Sequence, residues 1–503
     1  MGIPYYFYSL TKKYNNIIVD KLPFNPYIYC IDFNGIIHPV AASIISNNDI
    51  DEDIIIKTLW EKVLHFIDFM KPTKLMICVD GVAPIAKMAQ QRKRRYLTIY
   101  KNKIDNIKTK WDTNAITPGT SFMLKLNNFI KNKIRYNTTD IKISYSGSDE
   151  IGEGEHKIFN KLTSETSESK IIIHGLDADL IILSLISHKK SIYLMRETEN
   201  NVYSYVDINA LRIAIITELI NKWNLSNIED IYSIEANDII ESYCVMCSIL
   251  GNDFIPSILT LNLKSNGLEK LINSCNNPIK NNGLLVKNNI INHKCLSDIF
   301  IELSKYEDND IYRECEIYIK KSVHNTDNNS DYYAIKNKSS LSNAIYSNIS
   351  KWRQLYYKEL FNTNINNDSY VLNMICENYI KGIYWTYAYY KRNELDYYWY
   401  YPYSYPPSIR DIANHSRANN KPDNSLNGAY VSSSIQLLIV LPKDSIQLLQ
   451  PNHKKFMEDV KFGLYHMYPD NYKIQTFLKT HLWECCPKLP IIDIENILQI
   501  ANK

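Results

Sequence analysis

The sequence predicts an α/β fold: a mostly parallel central sheet flanked by helices, with a largely helical second region packed against it. Three observations carry that prediction. The segments YIYCIDF (27–33), KLMICVD (74–80) and KIIIHGLDADL (170–180) are short, rich in Ile and Val, and read as strands buried on both faces. The chain between them is long enough for crossover helices, which makes these strands parallel. Helical periodicity then dominates at 346–363 and 368–392.

Taken in order, residues 1–262 form the expected catalytic unit, where apolar strand runs alternate with helical stretches. Residues 263–345 hold two Asn-rich, weakly periodic tracts and read as an insertion or linker with some helix. Residues 346–503 form a second region, with the aromatic block YYWYYPYSYPP (397–407), a polar loop at 415–430, and a compact remainder from 435 onward. A 503-residue chain with 45% hydrophobic and 22% charged residues has apolar material for more than one packed unit. The 39 Tyr follow the same bias as the abundant Asn, Ile and Lys, which AT-rich codons explain.

The formal net charge of +3 is too mild to mark a nucleic-acid binder, so positive charge for a polyanion must be concentrated locally. No stretch approaches the length of a membrane span, and MGIPYYFYSLTKKYNN lacks the apolar region of a signal peptide. Gly2 is not a myristoylation site, because position 6 is Tyr6. Cys244 and Cys247 form a C-x-x-C with no second pair or nearby His, and read as a buried helix face. Ten scattered Cys without framework spacing fit a reducing compartment, and the expected location is the cytoplasm.

Seven carboxylates recur in five segments: Asp32, Asp80, Glu153 with Glu155, Asp177 with Asp179, and Asp253 in LGNDFIP. Catalytic groups of parallel sheets collect at strand carboxyl ends, where Asp32, Asp80, Asp177 and Asp179 fall. In extended chain, partners at i and i+2 point the same way, so each pair could present two oxygens to one cavity. So many carboxylates stay ionised together only with cations among them. Hard divalent ions such as Mg²⁺ or Mn²⁺ want such oxygen ligands, and two of them about 4 Å apart clamp both oxygens of a phosphoryl displacement.

GVAPIAKMAQQRKRRY (81–96) follows Asp80 directly and favours helix, with Pro84 in its first turn. Lys87, Gln91, Arg94 and Arg95 fall at i, i+4, i+7 and i+8 and share one face. That face suits a terminal phosphate: Arg supplies forked donors, Lys a point charge, Gln a neutral hydrogen bond. Arg92 and Lys93 lie elsewhere on the wheel, toward solvent or a nucleic-acid backbone.

These motifs together resemble the XRN family of 5′→3′ exoribonucleases. The opening MGIPYYFYSLTKKY is similar to that family's first segment. IDFNGIIH (31–38), DGVAPIAKMAQQRKRRY (80–96), ITPGTSFM (116–123), GEGEHKI (152–158), GLDADLIILSL (175–185) and LGNDFIP (250–256) resemble its first conserved region, in order. GIYWTYAYYKRNELDYYWYYPYSYPP (382–407) resembles its second, and QLLIVLP, MYPD and IIDIENIL resemble the end of its core. The match leaves out about 263–345. The chain stops near the end of that core, so functions of accessory domains in longer members are not carried over.

The resemblance implies a 5′-nuclease, PIN-like core, with the seven acids as metal ligands and Lys87, Gln91, Arg94 and Arg95 as the 5′-phosphate pocket. It places Asn34 and His38 beside the scissile nucleotide, His38 stacking on a base. It also calls for a second stacking aromatic, assigned here to Trp399. Tyr397, where the family carries an earlier Trp, is the alternative, and Ser404 replaces a family His. The expected activity is hydrolysis of 5′-monophosphorylated single-stranded RNA to nucleoside 5′-monophosphates in RNA turnover such as mRNA decay, with two Mg²⁺ or Mn²⁺ ions and as a monomer. The rivals are a flap-type structure-specific nuclease and an inactive RNA-binding scaffold.

Overall fold

A seven-stranded sheet organises the first half of the chain. The computed structural model describes residues 3, 5–47, 51–136, 140–175, 177–197, 202–322, 330–418, 421–423 and 426–501. Gly2 and part of the Asn-rich tract, 323–329, lie outside the described residues.

The strands are β1 (Ile18–Val19), β2 (Ile28–Asp32), β3 (Lys74–Cys78), β4 (Lys142–Ser146), β5 (Ile171–His174), β6 (Ile192–Glu197) and β7 (Tyr203–Asp207). Their spatial order is β1-β7-β6-β5-β2-β3-β4. From β4 through β3, β2 and β5 to β6 every pairing is parallel, while β7 and β1 add an antiparallel edge.

Period-two alternation sorts the strand residues between two layers. Ile28, Cys30, Met76, Ile171 and Ile173 face one core, and Tyr29, Ile31, Leu75, Ile77 and Ile172 face the other. The second face is covered by α2 (Asn34–Asn47), α3 (Glu52–Met70) and α5 (Ser121–Arg135). The first is covered by α1 (Tyr6–Lys13), α6 (Gly154–Leu162), α7 (Asp179–Ile186), α8 (Ile208–Trp223) and α9 (Ile234–Ser248). Cys244 and Cys247 are buried on α9, and all ten cysteines are free thiols. Helix α4 (Ile85–Ile104) follows β3.

The second half completes these layers. The 23-residue helix Ser369–Lys391 sends Tyr379, Ile383, Trp385 and Tyr389 into the same core as Cys30 and Ile173. C-terminal residues including Leu438, Met467, Tyr468 and Ile497 close over Val82, Ile85 and Met88 at the start of α4. Within 263–345 lie the helices Gly267–Ser274, Asn276–Asn282, His293–Ser304 and Glu307–Lys320. Leu271, Ile272, Leu296, Ile299 and Phe300 of that region join the main core. Short helices separated by Asn-rich caps and turns leave only a weak periodicity, which is why their packing is hard to read locally. No described helix is long and apolar enough to cross a membrane.

Candidate active site

Strand order creates the crevice that the acids occupy. The chain runs outward from β2 through β3 to β4, then returns to β5 on the other flank of β2, so crossovers diverge there. Asp32 is the last residue of β2, Asp80 lies just past β3, and Asp177 just past β5. Glu153 caps the start of α6, Glu155 sits in its first turn, and Asp179 opens α7. The two i, i+2 pairs are therefore not in extended chain as expected. Each straddles a helix N-terminus, where free N–H groups and the helix dipole favour negative charge.

Five of the seven acids (Asp32, Asp80, Glu153, Glu155 and Asp177) line one cavity of about 1200 Å³. Asp179 and Asp253 stand behind this wall. Asp80 is held between two loops: its backbone N–H donates to Asn34 Oδ1 at 3.0 Å, and its Oδ1 accepts from Gly154 N at 2.7 Å. A Cβ at Gly154 would meet Asp32 Oδ1 at 2.7 Å, so only glycine lets α6 start this close to β2. Tyr389 Oη donates to Glu153, and Tyr390 Oη donates to Asp179 at 3.0 Å. The Lys87 ammonium bridges Glu153 and Asp253, the latter at 2.8 Å.

Burial and mutual repulsion perturb the group. Burial, with Asp80 and Asp177 close by, pushes Asp32 well above the usual carboxylate range. Burial and the neighbouring Asp179 do the same to Glu155, and burial also raises Glu153 despite Lys87. Asp179 rises to about 7 through burial and the charge on Asp253. Burial alone would also raise Asp253, but Lys87 overrides it and draws the carboxyl down to about 2. Asp32 Oδ1 and Glu155 Oε2 are buried without a hydrogen-bond partner among the described residues. A cluster of hard oxygens with unmatched charge and orphaned lone pairs fits a divalent cation.

His156 extends this cluster. One ligand atom from each of Glu153, Glu155 and His156 lies within 4.8 Å of the others, an arrangement able to coordinate a metal ion. Burial and the Lys87 charge lower the His156 imidazole to about 3, so it is neutral, and its ring lies 3.9 Å from that of Tyr389. Sequence reasoning missed His156, Tyr389 and Tyr390. The tyrosines lie more than two hundred residues from the acids they touch, and no local pattern connects them.

Helix α4 lines the same cavity. Lys87, Gln91, Arg94 and Arg95 all line the acidic cavity, joined by Lys103, Lys108 and Lys110, so the mild net charge conceals a concentrated basic surface. Arg95 donates to Thr117 Oγ1 at 2.7 Å. Arg92 departs from expectation: it is buried and donates to the carbonyls of Met467 at 2.5 Å and Pro490 at 2.7 Å, pinning the C-terminal segment to α4. Lys93 turns into a second cavity on the other flank of the helix.

Asn34 and His38, both on α2, line the acidic cavity. Trp399 does not. It is 6% exposed, 5.3 Å from the ring of Trp385 and packed over Gly382, so it has no open face for a base. Tyr401 and Tyr405 of the same block are buried as well, while Tyr400 and Tyr403 stay partly exposed. Tyr397 is half-buried with its ring 4.5 Å from Tyr430, and it too is absent from the cavity wall.

Comparison with known proteins gives two family matches. The description "XRN 5′-3′ exonuclease N-terminus" matches residues 1–198, and "Xrn1 helical domain" matches 233–351 and 348–503. The chain is 25% identical to 5′-3′ exoribonuclease 1 of Homo sapiens over 99% of its own length, and it spans 34% of that protein. It is 23% identical to 5′-3′ exoribonuclease 2 of Gallus gallus, covering 98% of this chain and 69% of the relative. Against 5′-3′ exoribonuclease 1 of Schizosaccharomyces pombe, identity is 24% and the chain spans 48% of the relative.

Proposed function

The chain belongs to the XRN 5′-3′ exonuclease family, and from that premise we propose that it hydrolyses 5′-monophosphorylated single-stranded RNA stepwise from the 5′ end. The observation that carries this reading is one cavity lined both by five of the acids and by the basic face of α4. Asp32, Asp80, Glu153, Glu155, Asp177, Asp179 and Asp253 are the residues that would hold divalent cations, two Mg²⁺ or Mn²⁺ ions. When bound, such ions supply charge neutralisation and Lewis acidity at the scissile phosphodiester.

The chain's own residues do the remaining work. Gln91, Arg94 and Arg95 receive the terminal phosphate by directed donors, and Lys87 adds charge between that phosphate and the acids. Asn34 and His38 flank the first nucleotide. Hydrolysis breaks the bond from phosphorus to the first nucleotide's 3′-oxygen, which leaves as a hydroxyl. A nucleoside 5′-monophosphate departs, and the shortened RNA again carries a 5′-phosphate, so each turnover regenerates a substrate end. Free thiols at all ten cysteines fit a cytoplasmic role in RNA turnover.

The test is degradation of one end-labelled RNA bearing a 5′-monophosphate, 5′-hydroxyl or 5′-triphosphate, with Mg²⁺ or with chelator, alongside Asp177→Ala. Mononucleotide release from the monophosphate form alone, abolished by chelator and by the substitution, is expected. Internal cuts, or a preference for DNA flaps, would move the reading to a structure-specific nuclease. Binding without any cleavage would leave a scaffold.

A further inference from the structure

A second cavity, of about 340 Å³, lies against the other flank of α4. Ala86, Ala89, Gln90, Lys93 and Leu97 form its helical wall, a stripe beside the one that faces the acids, and Arg94 lines both cavities. The volume lies within the range of small-molecule sites.

Three features of its lining call for a ligand. The Lys93 ammonium has no hydrogen-bond or carboxylate partner among the described residues, and burial lowers its pKa. Both amide atoms of Gln90 and the Nδ2 of Asn252 are buried without partners, a condition rare in native proteins unless something else satisfies them. Aromatic rings also line the cavity, among them Tyr5, Tyr400, Tyr403 and Trp483. The acids at the cavity are already engaged. Asp253 pairs with Lys87, Glu484 accepts from Tyr5 and from the Thr480 backbone, and Glu314 accepts from Ser265. Lys93, Arg94 and Lys479 therefore leave a surplus of positive charge beside aromatic walls and unmatched amides.

We propose that this cavity is a binding site for a nucleoside 5′-monophosphate, with the phosphate on Lys93 and Arg94 and the base among the tyrosines, read by the Gln90 and Asn252 amides. Identifying the ligand as the reaction product rests on the proposed function; the recognition chemistry does not. Arg94 borders both cavities.

Cys486 provides a direct reporter. It lines this cavity and is half-buried, whereas the other nine cysteines are buried. Alkylation of Cys486 in the full chain would be followed with AMP, UMP, adenosine or inorganic phosphate present, beside binding measured by calorimetry. AMP and UMP are expected to slow alkylation at least tenfold at saturation, with adenosine or phosphate alone weaker. Lys93→Met and Gln90→Leu should each weaken AMP protection of Cys486 about tenfold or more, while Arg95→Met, in the acidic cavity, leaves that protection intact. Initial RNA hydrolysis by Lys93→Met should match wild type.

The proposal is overturned if AMP gives no protection of wild-type Cys486, or if Arg95→Met alone abolishes that protection. RNA degradation without protection would remove this site and leave the proposed function standing. Protection without RNA degradation would keep the nucleotide site and remove its link to a product.

Discussion

Glu153 and Asp179 are each held by a phenol from a helix more than two hundred residues away, Tyr389 and Tyr390 respectively. Hydrogen bonds to metal-ligating carboxylates orient them and tune their basicity, and removing such partners weakens metal affinity by about 10–100-fold. Tyr389→Phe and Tyr390→Phe should therefore raise the Mg²⁺ concentration for half-maximal RNA hydrolysis by about tenfold or more. Activity at saturating Mg²⁺ should recover in large part. A Mg²⁺ titration equal to wild type would show that these phenols only fill space.

At the scale of the element, α4 carries three different faces on one helix. One presents Lys87, Gln91, Arg94 and Arg95 to the acids, a second presents Gln90 and Lys93 to the smaller cavity, and the third packs Ile85 and Met88 under the C-terminal segment. Arg92 locks that third face through two backbone carbonyls. Hydrogen bonds from charged donors contribute about 1.5–3 kcal/mol each, and orphaning their buried acceptors adds to the loss. Arg92→Met should lower stability by roughly 3–6 kcal/mol, read as an earlier midpoint in urea, and raise the KM for RNA as the helix loosens. An unchanged midpoint would mean that the C-terminal segment holds without this pin.

At the scale of the whole molecule, the fold stores repulsion where its layers meet. Asp32, Glu153 and Glu155 are raised and Asp179 stands at about 7, all above their unfolded values. In that situation the native state holds more protons than the unfolded one, so stability falls as pH rises through the folded pKa values. Asp253, drawn to about 2, has finished titrating well below this window, and Lys87 is raised above its ordinary value and titrates at high pH. With chelator, the melting temperature should drop between about pH 5 and pH 8. Added Mg²⁺ should flatten the drop, because a bound cation replaces the lost protons as counter-charge. An equal slope with and without Mg²⁺ would argue against cation binding by this cluster.

Much of this molecule is legible along the chain because strand ends and helix faces are local properties. Strand runs ending in Asp32 and Asp80, the KMAQQRKRR face and the GEGE and DAD segments can each be read within a dozen residues, and the structure brings them to one crevice. What the chain order conceals is contact between distant segments. Tertiary packing sets Tyr389 and Tyr390 against the acids, turns Trp399 into core and Arg92 into a pin, and puts Asp179 and Asp253 behind the cavity wall. Periodicity tells which residues share a face of one element. Which face a second element covers is decided only when the layers close, because burial and desolvation depend on every neighbour at once.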